Sequence, residues 1–260
     1  DTMGANTTGA DNTAIGNSCL NSNTTASNNV AVGKASLKAN TTGTSNVAVG
    51  TDALDANTTA DSNTAVGYSS LGANTTGATN TAVGRNTLAS NTTGGTNTAV
   101  GYGSLLQNIG ASNNTAVGYS ALENNTTGTS NVAVGAYALD ANTTTSYNTA
   151  VGRGALSAST SDANTAVGQD ALAALTTGAN NTAVGKSALD TTTTGQQNTG
   201  LGAYALDANT TGSYNTAVGY GALDANTTAD NNTAVGHGSL GVNTGIENTA
   251  VGSAALDANT

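Results

Sequence analysis

The sequence is organised by a repeat of 17 residues. Asparagine opens the units at positions 12, 29, 46, 63, 80, 97, 114, 131, 148, 164, 181, 198, 215, 232 and 248, with single-residue deletions before Asn164 and Asn248. Numbered from that asparagine, the unit reads N-T-A-V-G-x-x-A-L-x-A-N-T-T-G-x-x. A fixed period this short predicts a solenoid, whose units stack on one another. We therefore interpret residues 1–260 as a single array of fifteen coils.

Both ends of the sequence lie in mid-unit. The chain begins with Met3 at the leucine position of a unit and stops at Asp257-Ala258-Asn259-Thr260. Solenoids need capping ends for solubility, and neither end carries one. The array is therefore expected to be a segment of a longer fibrous protein, or a subunit of a head-to-tail extracellular filament.

The residue types of the unit favour strands over helices. Position 1 is asparagine, position 5 glycine and position 9 leucine in all fifteen units. Glycine, asparagine and paired threonines are weak helix formers, whereas threonine and valine at positions 2 and 4 suit a strand. We expect an all-β fold, a parallel β-solenoid forming a thin roll. Each coil would contain two short strands, at positions 2–4 and 7–10, with turns at the glycine and at the N-T-T-G run.

Neither face of these predicted strands varies along the chain. Adjacent side chains of a strand point to opposite faces, which places alanine at position 3 opposite valine at position 4, and position 8 opposite leucine at position 9. The small residues would then fill the roll, while the outward valine and leucine pack against neighbouring chains. The chain is therefore expected to form an oligomer with copies of itself.

Composition excludes several classes of function. The net charge of −10, with only five lysines and arginines, argues against a nucleic-acid partner. No apolar run is long enough for membrane insertion. One histidine, His237, and one cysteine, Cys19, offer no recurring catalytic constellation, so we expect no enzyme, no cofactor and no metal site. Cys19 stands at position 8 and is expected to be a small buried residue.

The N-[TV]-A-[VI]-G core resembles the head repeats of trimeric autotransporter adhesins and the N-T-A-V-G-Y-x-A-L repeats of bacteriophage tail fibres. Residues 215–223, N-T-A-V-G-Y-G-A-L, carry this resemblance most fully. It covers the whole chain and implies a left-handed parallel β-roll assembled as a homotrimer. It also implies a structural shaft or adhesive segment that lies outside the cell, on a cell surface or a virion. Its partner would be a surface receptor or a glycan, and the choice between adhesin and phage fibre stays open.

Bulky residues collect just after the turn glycine. Tyr68, Tyr102, Tyr119 and Tyr220 stand at position 6, and Tyr137 and Tyr204 stand at position 7. Tyrosines are frequent contact residues of binding surfaces, so these six are candidates for surface binding. The alternative is aromatic packing from coil to coil, which we favour.

Three further patterns are open to a structural or a functional interpretation. The asparagines at positions 1 and 12 predict amide ladders, although N-T-T turns such as 57–59 also match glycosylation acceptors. Acidic residues recur at position 10 and form either a solvated edge or a cation-binding column. The threonines at positions 13 and 14 are the basis of an alternative function, in which a ligand-binding solenoid recognises ice. The position 10 residues are Asp55, Glu123, Asp140, Asp190, Asp207, Asp224 and Asp257.

Overall fold

The protein is described by a computed structural model that covers residues 2–259. It divides into two compact units, Asp1–Ser130 and Asn131–Thr260. In each unit every coil contributes one three-residue strand, formed by positions 2–4 of the repeat, and the strands pair in parallel. The prediction of an all-β parallel solenoid with about fifteen coils is confirmed.

The strands of the first unit follow one another in chain order, and each pairs with its neighbour in the register of the repeat. For example, Thr64 pairs with Thr81 and Val66 with Val83. One coil therefore sits on the next with equivalent residues stacked. The strands are β1 Thr13–Ile15, β2 Val30–Val32, β3 Val47–Val49, β4 Thr64–Val66, β5 Thr81–Val83, β6 Thr98–Val100 and β7 Thr115–Val117.

The second unit repeats this arrangement and adds a small second sheet. Its main strands are β8 Val132–Val134, β9 Thr149–Val151, β10 Thr165–Val167, β11 Thr182–Val184, β12 Thr199–Leu201, β13 Thr216–Val218, β14 Thr233–Val235 and β16 Thr249–Val251. The short strands β15 Val242–Asn243 and β17 Ala258–Asn259 pair with each other in parallel. The pairing of β9 with β10 spans 16 residues instead of 17, so the ladder keeps its register across the deletion before Asn164.

The prediction of a second strand at positions 7–10 is wrong, because positions 7 and 9 adopt a left-handed backbone conformation with positive φ. Asp52 and Leu54 have φ of 56° and 51°, and positions 7 and 9 adopt such positive φ in every coil. A strand requires extended residues, so this segment curls into turns. Hydrogen bonds still join the coils: Leu54 N–H donates to Ser70 O at 3.0 Å in the next coil, and Asp52 N–H to Lys34 O at 3.0 Å in the preceding one.

This curl also corrects the expected direction of the leucines. Leu54 is fully buried, as are the position 9 leucines from Leu20 to Leu240, and Ala53 beside it is buried too. Positions 8 and 9 thus both point inward, since the alternation of an extended strand does not apply to left-handed residues. In the strand the alternation holds: Ala48 is buried between half-buried Val47 and Val49. The position 4 side chains face outward, as predicted.

The inward leucines give each coil an apolar core of its own. Fully burying a leucine stabilises a protein by about 1.5–3 kcal/mol. A left-handed backbone costs roughly 1–2 kcal/mol per residue, so the burial of each leucine offsets the cost at position 9 itself. Of the two large apolar side chains per coil, only the outward residue at position 4 is left for a neighbouring chain to cover. The expectation that leucine packs between chains is therefore wrong.

Two buried asparagine ladders complete the interior, as predicted. Asn57 at position 12 donates from Nδ2 to Asn40 Oδ1 at 2.9 Å and to Ala60 O at 3.1 Å. Asn46 at position 1 donates to the same Ala60 O at 2.8 Å, and its Oδ1 accepts from Asn63 N–H at 2.9 Å. Because every buried amide needs partners, these ladders fix each coil against the next. Cys19 is also buried, and its thiol donates to Gly33 O at 2.7 Å.

Candidate functional surfaces

The outward side chains of positions 2 and 4 form a surface that we call the sheet face. Position 4 is Val, Ile or Leu in all fifteen coils, and position 2 is threonine or valine. The chain carries no charged residue at positions 1–5 of any unit. Val184 and Leu201 are 39% and 38% exposed, so the aliphatic groups of neighbouring coils lie open side by side. Each unit thus presents an uncharged strip of methyl and hydroxyl groups.

The residues of positions 6 and 7, which follow the turn glycine, form a second surface, the corner column. In the first unit, the guanidinium of Arg85 lies 5.5 Å from the centre of the Tyr68 ring. The rings of Tyr102 and Tyr119 are stacked, with centroids 5.3 Å apart and an interplanar angle of 9°. The predicted coil-to-coil aromatic packing is therefore present.

The corner column of the second unit contains a longer run of contacts. Lys186 Nζ lies 5.7 Å from the centre of the Tyr204 ring. Tyr220 meets Tyr204 edge to face at 5.6 Å and stacks on His237 at 5.5 Å. These residues belong to four successive coils, so each side chain limits the movement of the next. Arg153 forms a salt bridge with Asp170, at 3.4 Å between Nη2 and Oδ2.

The six candidate tyrosines are accessible at the surface to different degrees. Tyr137 is 45% exposed, comparable to Tyr102 and Tyr119, whereas Tyr204 is half-buried by its neighbours. Sequence reasoning did not single out Tyr147 and Tyr214, which stand at position 17 and are 69% and 49% exposed. The signal that could have identified them is their bulk at a position otherwise occupied mainly by small polar residues.

The acidic residues at position 10 of successive coils form the predicted column in the second unit. Burial raises the pKa of Asp190 and Asp207 above 3.8, and the next aspartate along the column raises each further. Burial also raises the pKa of Asp224. Residues 2–259 contain no group of three His, Cys, Asp or Glu side chains placed to hold a metal ion. The column is an edge of partly buried aspartates that repel one another.

These raised pKa values predict the pH dependence of stability. The folded second unit binds protons at these aspartates more tightly than the unfolded chain, so their ionisation destabilises the fold. We expect Asp207→Asn to raise the thermal unfolding midpoint at pH 7. The gain should shrink as the pH falls towards and below 3.8, because Asp207 takes up its proton at a higher pH in the folded chain than in the unfolded chain. Calorimetry at a series of pH values measures this difference, and a gain that does not change with pH would contradict it.

The threonine ranks at positions 13 and 14 differ in what their hydroxyls contact. The Thr58 hydroxyl donates to Thr75 O at 3.2 Å, and Thr75 repeats the contact with Thr92 O at 3.0 Å. The position 13 rank therefore serves the coil stack, and Thr59 at position 14 stays exposed. Asn57 in the N-T-T turn is fully buried, which leaves no room for a glycan on its amide in the folded chain.

Over residues 2–259 the structure contains no pocket, and no helix there is long and apolar enough to cross a bilayer. A comparison with protein-family models, curated proteins and solved structures finds no match to this chain. The resemblance to adhesin and tail-fibre repeats thus stays an expectation from the sequence. Each unit presents two repeating surfaces, the sheet face and the corner column.

Proposed function

We propose that this chain is a non-catalytic structural segment of an extracellular fibre, whose copies assemble as a homotrimer through their sheet faces. The observation that carries the proposal is the uncharged aliphatic strip of positions 2 and 4, repeated in every coil. A fibre segment requires a uniform surface and an interior that resists opening. The inward leucines and the asparagine ladders support such an interior.

Charge indicates why the sheet face is the interface in this proposal. Two copies of a chain with net charge −10 repel each other, and all fifteen acidic residues lie outside positions 1–5. Contact through the sheet face keeps these charges on the outer surfaces. It also removes the half-exposed aliphatic groups of position 4 from water, which contributes about 25 cal/mol per Å² of apolar area. Within one chain, no other surface repeats aliphatic residues in every coil.

The test replaces two neighbouring sheet-face residues, Val184→Asp together with Leu201→Asp. We expect the wild-type chain to have three times the 24.9 kDa monomer mass by light scattering, and the double variant to be monomeric. Like charges placed together in an interface cost several kcal/mol. The matched control is Thr194→Asp with Thr211→Asp, two exposed position 14 residues in the same pair of coils. A monomeric wild-type chain, or equal dissociation of both double variants, contradicts the trimer.

A second candidate function, ice binding, is favoured by one observation on the same face. In the second unit, threonine occupies position 2 in seven consecutive paired strands, from Thr149 to Thr249, beside an aliphatic residue at position 4. Such a rank offers hydroxyls and methyls at the strand spacing of about 4.8 Å. A monomeric chain that shows thermal hysteresis would favour this candidate, because trimerisation buries the face that ice binding requires exposed.

A further inference from the structure

We propose that Tyr102 and Tyr119 of the first unit form a modification site, at which oxidation joins their two rings as dityrosine. The product is a covalent link between neighbouring coils of one chain. The inference goes beyond the proposed fibre and does not depend on the trimer, because both rings belong to the same chain. It rests on the orientation of the rings, on their access to an oxidant and on the scarcity of competing side chains.

The first argument is the orientation of the two rings. Tyr102 and Tyr119 stand at position 6 of successive coils. Their rings are stacked, with centroids 5.3 Å apart and an interplanar angle of 9°. The unpaired electron of a tyrosyl radical occupies π orbitals perpendicular to the ring and is shared with the carbons ortho to the hydroxyl. Two radicals therefore couple through their ring faces, and the stack already turns these faces towards each other.

A second tyrosine pair provides an internal comparison. The ring centroids of Tyr204 and Tyr220 are nearly as close, at 5.6 Å, but their planes meet at 75°. In this edge-to-face contact the edge of one ring, where its π orbitals have little density, points at the face of the other. Distance alone would make both pairs reactive, whereas orbital overlap selects Tyr102 and Tyr119.

The second argument is access to the rings and the space around them. Tyr102 is 46% exposed and Tyr119 is 49% exposed, so a small oxidant in solution reaches both. In dityrosine the new bond lies in the plane of both rings, so the rings must turn as it forms. The residue after Tyr102 is Gly103, where an added Cβ would meet no atom closer than the Ser120 hydroxyl at 3.7 Å. This open space gives the Tyr102 ring room to turn.

The third argument is the scarcity of side chains that compete for oxidation. The chain has no tryptophan, one cysteine and one methionine. Tryptophan and free thiols give up an electron readily and can quench a tyrosyl radical. Cys19 is fully buried, and its thiol donates to Gly33 O at 2.7 Å, so an oxidant does not reach it easily. Oxidation of this chain is therefore concentrated at its exposed tyrosines.

With hydrogen peroxide as the oxidant, the chemical step balances. Each phenol loses one electron and its hydroxyl proton, and the two radicals form a carbon–carbon bond between ortho carbons. The hydrogens on those two carbons then move to the phenolic oxygens, which restores both aromatic rings. The two electrons and two protons convert one hydrogen peroxide into two waters. Because the stack holds the rings together before oxidation, coupling within the pair is favoured over coupling between chains.

The test treats the full wild-type chain with a haem peroxidase and hydrogen peroxide. We expect blue dityrosine fluorescence on chains that keep the monomer mass of 24.9 kDa, less two hydrogen atoms, under denaturing conditions. Cleavage of the denatured chain at Leu105 and Leu106, which lie between the two tyrosines, followed by mass spectrometry should identify the link. The link should also raise the thermal unfolding midpoint of the first unit, because it restricts the unfolded chain.

Tyr102→Phe keeps a stacked ring and removes the phenol that forms the radical. It should lose most of the fluorescence and the gain in the unfolding midpoint. The matched control is Tyr214→Phe, because Tyr214 is 49% exposed, as Tyr119 is. This control should lose neither, and circular dichroism establishes that both variants are folded.

Three results would overturn the inference. They are the absence of dityrosine in the treated wild-type chain, coupling mainly between chains, and equal fluorescence in the wild type and Tyr102→Phe. A Tyr204–Tyr220 link that forms as readily as the Tyr102–Tyr119 link would contradict the argument from orbital overlap.

Discussion

Gly84→Ala is expected to destabilise the first unit by about 2–6 kcal/mol, because the turn glycine of position 5 meets two separate obstacles. Its φ of +136° belongs to a region that is open to glycine and strained for other residues. A Cβ at this residue would also lie 2.4 Å from Gly101 O and 2.8 Å from Gly101 C in the next coil. Those are backbone atoms, so the clash can be relieved only by separating the coils. Denaturant unfolding measures the loss.

The matched control is Gly103→Ala in the same unit. Gly103 also has a positive φ, 64°, but an added Cβ would meet no atom closer than 3.7 Å. Equivalent residues of other coils, Ser69 and Ser120, adopt the same conformation with side chains. We expect a loss of about 1 kcal/mol. Equal losses for the two variants would show that the coils are not stacked as described.

Asn80→Asp is the second change with a large expected effect, at about 3–5 kcal/mol at pH 7. Asn80 is buried and donates from Nδ2 to Gly94 O at 2.8 Å, while its Oδ1 accepts from Asn97 N–H at 3.0 Å. The change keeps the shape of the side chain and replaces the donor with a charged oxygen facing a carbonyl. A buried charge without a partner is strongly unfavourable.

The pH dependence of Asn80→Asp separates this cause from a loss of packing. Burial should raise the pKa of the new carboxyl, and once protonated it can donate to Gly94 O again. Its destabilisation should therefore shrink as the pH falls. The control is Asn113→Asp, the same chemical change at an exposed residue of the same unit, where we expect an effect within about 0.5 kcal/mol. A constant loss at all pH values would argue against a buried charge.

The structure also explains why position 1 varies less than position 12. The Oδ1 of a position 1 asparagine accepts the backbone N–H of the next coil, as Asn63 does for Asn80 at 2.9 Å. If another residue replaced the position 1 asparagine, the buried backbone N–H of the next coil would lose its acceptor. A position 12 amide donates to the position 12 side chain of the preceding coil and to the position 15 carbonyl of its own coil. That carbonyl also accepts a hydrogen bond from the position 1 asparagine, so it keeps a donor when position 12 changes. Position 12 accordingly changes to Ser159, Leu175 and Thr192 in three consecutive coils, while position 1 is always asparagine.

Much of the fold could be predicted from the period and from the residues that repeat without change. The stacking of coils, the strand at positions 2–4, the inward alanines and the asparagine ladders all follow from residue types with one physical role. The direction of the leucines did not follow, because strand alternation was applied to a segment with left-handed residues. A signal was present: position 7 is often Gly, Asn or Asp, as at Gly103, Asn86 and Asp52, and these residues favour positive φ.

The candidate surfaces could be predicted only in part. Repetition identified the tyrosines after the turn glycine, since bulk at a variable position indicates exposure. It could not show that Lys186 would lie against Tyr204, or that Tyr220 would stack on His237. Those contacts depend on side-chain directions at a corner, where positions 6 and 7 of successive coils meet. The open space beside Gly238 likewise appears only when the coils are stacked.

Hydrogen exchange of the asparagine side-chain amides, measured by NMR, tests most directly the claim that each chain builds its own laddered interior. Oligomerisation through the sheet face leaves these inward groups where they are, so the readout does not depend on it. The account predicts slow exchange for the buried amides of Asn46, Asn57 and Asn80, and fast exchange for exposed Asn28 and Asn180. Equally fast exchange in both groups would contradict the account.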